Sequence, residues 1–263
     1  MRLPHLAAAC AALAIATPAI AQDADIRIAP PADWVVESDP LAVPDDATGL
    51  VFIRRADSQI HLTDEGSLSF TGQMLRILHP QALQVGNVAI AWNPAAGEPV
   101  VHRLRIHRDG TVIDVLEKTE FEILRREDQL EMAMLDGVLT AALRVPDLRV
   151  GDDLEMAFTV PSNDPTLGET STGYLALAPT MPEGRVQLRL SWVDGQEPRI
   201  LLRDGLRPFS QRGDRALVVK GDNIPAEAPP QDAPPRFGLN RVAEFTDFAD
   251  WQAVSSRFQP LYD

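Results

Sequence analysis

Between Leu50 and about Lys220 the chain alternates apolar and polar positions in short runs. Val186, Leu188, Leu190 and Trp192 share one register, and Gln187, Arg189 and Ser191 take the other. Leu154, Met156, Phe158 and Val160 alternate in the same way with Asp153, Glu155, Ala157 and Thr159, and Leu139, Ala141, Leu143 and Val145 with Val138, Thr140, Ala142 and Arg144. A strand turns successive side chains to opposite sides, so each run offers one apolar face and one wetter face. Asp109-Gly110 and Asp136-Gly137 stand between such runs, and glycine accepts the positive φ that a two-residue hairpin demands. Gly151-Asp152-Asp153, Asp194-Gly195 and Gly213-Asp214 mark further reversals. Roughly twelve strands with little helix between them predict an all-β fold, an antiparallel β-sandwich with a short C-terminal helix.

The same pattern sets boundaries. The sandwich domain is expected over residues 49–222. Residues 22–48, rich in Asp, Pro and Ala, read as an extended N-terminal lead with Trp34 as an aromatic anchor. Residues 223–241 form a Pro-rich tether: Pro225, Pro229, Pro230, Pro234 and Pro235 exclude a central strand or a helix interior. Residues 242–263 hold a short strand near Val242–Phe245 and then a helix. Thr246 or Asp247 is the expected cap, Phe248, Trp251, Val254 and Phe258 form one face, and Pro260 is the stop.

Residues 1–21 read as a cleaved signal peptide: Arg2, an apolar run from Leu6 to Ala16, then Ala19-Ile20-Ala21 before the expected cut. That run falls short of the ~20 residues needed to cross a bilayer, so an exported domain without a membrane span is expected, periplasmic or secreted. Cleavage removes Cys10, the one cysteine of the chain. The mature domain is then expected to have no disulfide, no thiolate nucleophile and no sulfur-ligated metal. The composition is otherwise that of an ordinary globular protein, with 45% hydrophobic and 24% charged residues. The net charge of −14 argues against nucleic acid as a partner, because phosphate binding rests on clustered Lys and Arg.

Chemistry-bearing patterns are sparse. His61, His79, His102 and His107 lack the spacing that puts two ligands on one helical face, so neither a metal nor any other cofactor is expected. No Gly-x-Ser-x-Gly elbow, phosphate loop or dinucleotide fingerprint occurs. The doublets Asp45-Asp46 and Asp152-Asp153, with Glu131 and Glu155, offer carboxylates but no evident cleft for paired acid–base work. No catalytic residue is therefore assigned, and the chain is not expected to be an enzyme. Arg103, Arg105 and His107 form a basic stripe on one strand of an acidic chain, suited to a carboxylate from a peptide or an acidic glycan. The plainer reading pairs them with neighbouring acids such as Glu117, Glu120 or Glu122. His102, an odd number of residues from His107, is expected on the opposite face as a satisfied core or edge histidine.

Several stretches carry a family resemblance: Leu104-Arg-Ile-His-Arg-Asp-Gly-Thr111, Phe121-Glu-Ile-Leu-Arg-Arg-Glu-Asp-Gln-Leu-Glu131, Leu135-Asp-Gly-Val-Leu-Thr-Ala141 and Val145-Pro-Asp-Leu-Arg-Val-Gly-Asp-Asp-Leu-Glu155, running on to Ser162-Asn-Asp-Pro165. Together, over roughly residues 50–220, they resemble the bacterial domain of unknown function that commonly precedes a transglutaminase-like domain in exported proteins. Leu135 stands where relatives usually carry an aromatic residue. The catalytic Cys, His and Asp of the following domain find no counterpart in the mature chain. The resemblance implies a β-rich accessory domain of the cell envelope: a non-catalytic binding or scaffold domain meeting an envelope protein, a peptide or a glycan. The alternative is an accessory subunit of a separately encoded transglutaminase-like or peptidase enzyme.

Overall fold

A computed structural model of the chain describes residues 25–125, 137–164, 166–168, 170–227, 232, 234 and 240–262. The expected signal peptide, Glu131, the Leu135-Asp136 half of one expected hairpin and much of the Pro-rich tether lie outside these residues. In chain order the strands are β1 (Arg27–Ile28), β2 (Val51–Thr63), β3 (Gly66–Ile77), β4 (Asn87–Trp92), β5 (Val100–Arg108), β6 (Thr111–Asp114), β7 (Glu122–Arg125) and β8 (Leu139–Arg144). They continue as β9 (Asp153–Ser162), β10 (Thr172–Ala176), β11 (Gly184–Trp192), β12 (Arg199–Leu202), β13 (Ser210–Arg212), β14 (Ala216–Asp222) and β15 (Val242–Thr246), and one helix, α1 (Trp251–Phe258), follows.

A nine-stranded sheet in the order β1-β5-β9-β3-β2-β11-β14-β13, with β6 also on β5, is the backbone of the molecule. Two three-stranded sheets, β4-β8-β7 and β10-β15-β12, accompany it. The all-β class stands, but the expectation of about twelve antiparallel strands is corrected to fifteen strands in mixed sheets among the described residues. β1 runs parallel to β5, and β11 runs parallel to β2. Alternation of apolar and polar residues reports which face a side chain takes and is silent on strand direction. A central parallel pair also requires a long crossover, here supplied by everything between β2 and β11.

Residue parity assigns two faces to the large sheet. One carries Leu104 and Ile106 from β5, Leu154 from β9, Leu188 and Leu190 from β11, and Leu217 and Val219 from β14, all buried. Both small sheets pack on this face, one at each side. Val88, Ile90, Ala141 and Leu143 meet Val101, Leu104, Ile106 and Leu154 in one core. Leu175, Ala243 and Phe245 meet Leu62, Leu188, Leu190 and Trp192 in the other. The opposite face carries the polar register and is covered by the N-terminal lead.

Local chemistry explains the turns. Asp109 and Gly110 both take positive φ, 48° and 77°, between β5 and β6, where the right-handed twist of a two-residue hairpin needs it. Gly184 is required more strictly: at φ +140° its place for a Cβ lies 1.8 Å from the Ile53 carbonyl oxygen. At the C-terminus the expected cap is corrected. Asp250, not Thr246 or Asp247, accepts the Ala253 amide at 2.8 Å and starts α1. Thr246 is still in β15, because its strand runs one residue beyond the apolar run that suggested its end. No helix among the described residues is long and apolar enough to cross a membrane.

Candidate functional site

The polar face is built on β2, where Arg55, Asp57, Gln59 and His61 alternate with Ala56, Ser58 and Ile60. Strand pairing sets Gln187 beside Asp57, Arg189 beside Gln59 and Ser191 beside His61. These side chains hold the lead by its main chain. Gln59 exchanges both amide hydrogen bonds with Val36, accepting from its N–H at 3.1 Å and donating to its carbonyl at 2.8 Å. Gln187 donates to the same carbonyl at 2.7 Å, and Arg189 donates to the Trp34 carbonyl at 2.9 Å. Asp57 accepts the Ser38 amide and hydroxyl at 3.0 and 2.7 Å. Trp34 stacks on His61, centroids 4.9 Å apart, and meets Phe70 edge-on. Asp57, Gln59, Gln187 and Arg189 find partners on the lead, and buried Ser191 pairs with His61 and Arg189 within the sheet, which is how such a face tolerates burial.

Beside it lies an ionic lattice. Glu37 of the lead pairs with Arg103 and, at 2.5 Å, with Arg55. Arg55 also reaches Glu155 at 2.7 Å, and His107 Nε2 meets the other Glu155 oxygen at 2.8 Å. Arg103 Nε stands 3.1 Å from Glu155, although its N–H is not aimed at that oxygen. Burial works against ionisation of Glu37, yet the hydrogen bond and charge of Arg103 and Arg55 outweigh it and hold the carboxyl below its ordinary range. For Asp57 burial wins over the Ser38 hydrogen bonds and pushes the carboxyl up.

The basic stripe is thus divided. Arg103 and His107 are held in the lattice, by Glu37 and Glu155, while Arg105 pairs with Asp114 of β6 at 3.3 Å. The acids that meet the stripe come from the lead, β9 and β6 rather than from Glu117, Glu120 or Glu122. His102 is corrected: it shares the face of Arg103 and His107. A β-bulge between Val101 and Arg103 breaks the alternation that separates odd from even positions. Its ring nitrogens contact the Ala29 carbonyl and the Thr159 hydroxyl, both at 2.8 Å, and burial lowers its pKa. The Asp152-Asp153 doublet is bound by arginines: Asp152 by Arg108, and Asp153 by Arg54 and Arg76. His79 caps a short 3₁₀ turn.

Where the lead leaves this face it forms one wall of an open groove of about 570 Å³. Its lining includes Ala29, Pro30 and Pro31 of the lead and Arg105, Asp114 and Leu116, together with His102 and Arg103. Arg105 is the more exposed arginine of the stripe there, 38% against 17% for Arg103. The groove offers two guanidiniums, of Arg103 and Arg105, two carboxylates, of Asp114 and Glu117, and the apolar Pro30 and Pro31. Among the described residues, no group of three His, Cys, Asp or Glu side chains is placed to hold a metal ion. Glu37, Asp57 and Gln59 were absent from the sequence-based candidates. Their signal is the unbroken polar register of β2, which reads as a solvated face until something is known to cover it.

No curated protein matches the chain. Among solved structures, a putative protease from Parabacteroides distasonis ATCC 8503 matches at TM-score 0.63 and 13% identity, over 80% of this chain and 43% of that one. The chain therefore spans less than half of that protein, and the likeness speaks for the fold alone. Two structures of yeast LTA4 hydrolase, one native and one with bestatin, match at TM-score 0.35 and 10% identity. They cover 82% and 83% of this chain but 32% and 31% of their own, and carry no weight for the fold. The domain of unknown function DUF3857 matches residues 64–226, well over half of the sequence, and the chain belongs to that family.

Proposed function

We propose that this chain is a non-catalytic binding or scaffold domain of the cell envelope, exported to the periplasm or beyond and recognising a carboxylate-bearing peptide or acidic glycan in the groove beside its lead. The observation that carries this is the division of labour along β5. Arg103 and His107 are held by Glu37 and Glu155, whereas Arg105 stands at the groove with its guanidinium partly open. An arginine in that setting forms paired hydrogen bonds to a planar carboxylate. Calorimetry with a short blocked Glu-containing peptide tests it. Binding that weakens at least tenfold in Arg105→Ala, with an unchanged melting curve, supports the reading. Turnover of peptide or peptidoglycan by the purified chain, lost in Glu155→Gln, overturns it.

A second reading is favoured by one feature. Trp251 opens α1 and is 84% exposed, and Leu261 and Tyr262, 58% and 87% exposed, end the 3₁₀ turn that follows it. Exposed aromatics of this kind anchor protein interfaces, as an accessory subunit of a separately encoded transglutaminase-like or peptidase enzyme would need. Co-elution with such an enzyme that is lost in Trp251→Ala favours this reading, and independent elution refutes it.

A further inference from the structure

Among residues 25–49 Ser38 alone is buried, and the segment's regular structure is the two-residue strand β1. The lead therefore has almost no core of its own, and local opening costs least where so few apolar contacts are made. Hydrogen bonds and ring stacking hold it on the polar face, and two histidines of that face touch it directly. His61 of β2 stacks on the Trp34 ring. His102 of β5 meets the Ala29 carbonyl through Nδ1 at 2.8 Å.

Their partners set both rings as neutral bases. A carbonyl only accepts, so His102 carries its hydrogen on Nδ1, and Nε2 accepts the Thr159 hydroxyl at 2.8 Å. At His61 the Ser191 hydroxyl accepts an Arg189 N–H at 2.8 Å and turns its own hydrogen to Nδ1 at 2.9 Å. Arg189 also holds the Trp34 carbonyl, so Trp34, His61, Ser191 and Arg189 form a closed circuit. A proton on His61 Nδ1 sets a second donor against Ser191, which is 2% exposed and has no other acceptor for its hydrogen among the described residues. It also places a second cation beside Arg189. A proton on His102 Nε2 does the same to the Thr159 hydroxyl. Burial is the main cause that lowers both pKa values, and Arg189 adds to it at His61. At His102 the Ala29 and Pro30 carbonyls and Glu37 oppose that shift, Arg103 adds to it, and burial prevails.

We propose that the lead is a proton-operated latch: neutral His61 and His102 hold it on the polar face, and it lifts when they take up protons, while the apolar cores across the sheet stay folded. A histidine held below its ordinary value of about 6.5 favours the closed lead above that pH, and the advantage is lost as pH falls through the lowered value. Between about pH 7.5 and about pH 5.5 each ring moves the balance towards the open lead by at most about tenfold, so both together by at most about a hundredfold. Glu37 acts in the same direction only below its ordinary carboxyl range. Asp57 opposes them, because a proton relieves its burial, but it is one carboxyl against two imidazoles. His107 faces Glu155 of β9 rather than the lead. Ala29, Pro30 and Pro31 line the groove, so opening removes part of that lining. This consequence rests on the groove being a binding site, whereas the latch does not.

Amide hydrogen exchange of the purified chain, followed by NMR, reads the opening of the lead. Rates are expressed as protection factors, so that the direct effect of pH on exchange cancels. The Val36 and Ser38 amides, held by Gln59 and Asp57, are expected to lose more than about tenfold of their protection between about pH 7.5 and about pH 5.5. Leu154 and Ala157 of β9 are expected to keep theirs. His61→Gln and His102→Gln, which do not titrate, are each expected to reduce the change at Val36 by at least about threefold, and together to flatten it. Asp57→Asn is expected to steepen it at the acid end, and His79→Gln, at the cap of the turn after β3, to leave it as it is. Protection that stays constant within about threefold, loss on β9 in step with the lead, or a full response in the double variant overturns the proposal. If the double variant does not fold, the imidazole Cε1–H resonances of the parent decide: both rings are expected to titrate below the ordinary histidine value, and titration of either at or above it overturns the latch. Binding of a Glu-containing peptide to the groove enters none of these readings, so its failure leaves the latch standing.

Discussion

Replacing Arg55 by Met tests whether the lead is held by the ionic lattice. Arg55 is 8% exposed and bridges Glu37 of the lead to Glu155 of β9, at 2.5 and 2.7 Å. Methionine fills most of the same volume, so the change removes charge with little loss of packing. Breaking a buried pair from one side costs about 3–5 kcal/mol, because the partner stays buried without its countercharge. Arg103 still faces both carboxylates, so the lower end, about 3 kcal/mol, is the reasoned value. For a domain of this size each kcal/mol shifts Tm by about 2–4 °C, which gives a fall of roughly 6–12 °C. Urea unfolding measures the loss directly, and limited proteolysis of the 42–49 connection reports release of the lead. Glu37→Gln in the same background should add less than it does alone, since the two mutations share one interaction. A Tm within about 1 °C of the parent, or strictly additive mutants, would show that the lattice does not hold the lead.

Three further outcomes are expected. Gly184→Ala drives a Cβ into the Ile53 carbonyl, 1.8 Å away on the parallel partner strand, so β2 and β11 must part locally. A loss of about 3 kcal/mol, or failure to accumulate folded protein, is expected in urea titration, from positive-φ strain plus lost ladder bonds. Gly110→Val meets no atoms at its Cβ but must hold φ 77°, and should lower stability by about 1 kcal/mol or more, with an unchanged melting temperature counting against the turn. The acid side of the stability curve should divide by residue. Glu37 and Asp152 titrate below their ordinary values, so their contributions are present above those ordinary values and are lost as pH falls through the folded ones. Asp57 is shifted upward, so its ionisation costs stability as pH rises from its ordinary value. Asp57→Asn should therefore gain on the parent as pH rises above about 4, and a gap that is constant with pH would refute the assignment.

Alternation along the chain carried far because it follows from pleat geometry alone. Val186 to Trp192 and Leu154 to Val160 contribute to the expected apolar face, and Asp109-Gly110 makes the expected hairpin. The stripe of Arg103, Arg105 and His107 was visible for the same reason. His102 was misplaced because a single inserted residue at a bulge reverses parity, and no composition rule marks the insertion. The helix start was misplaced by a few residues because Thr246, Asp247 and Asp250 are all competent caps, and only the end of β15 selects among them.

Local sequence determined the all-β class, the hairpin glycine and the two-faced strands, since each depends on neighbours within a few bonds. Tertiary structure decided the parallel pairing of β2 with β11, the cover that the lead places on the polar face, and which acid each arginine meets. Those depend on residues far apart in the chain, such as Glu37 and Arg103 or Arg55 and Glu155. Their pairing is fixed by burial and charge in the assembled sheet, and no local pattern along the chain encodes it.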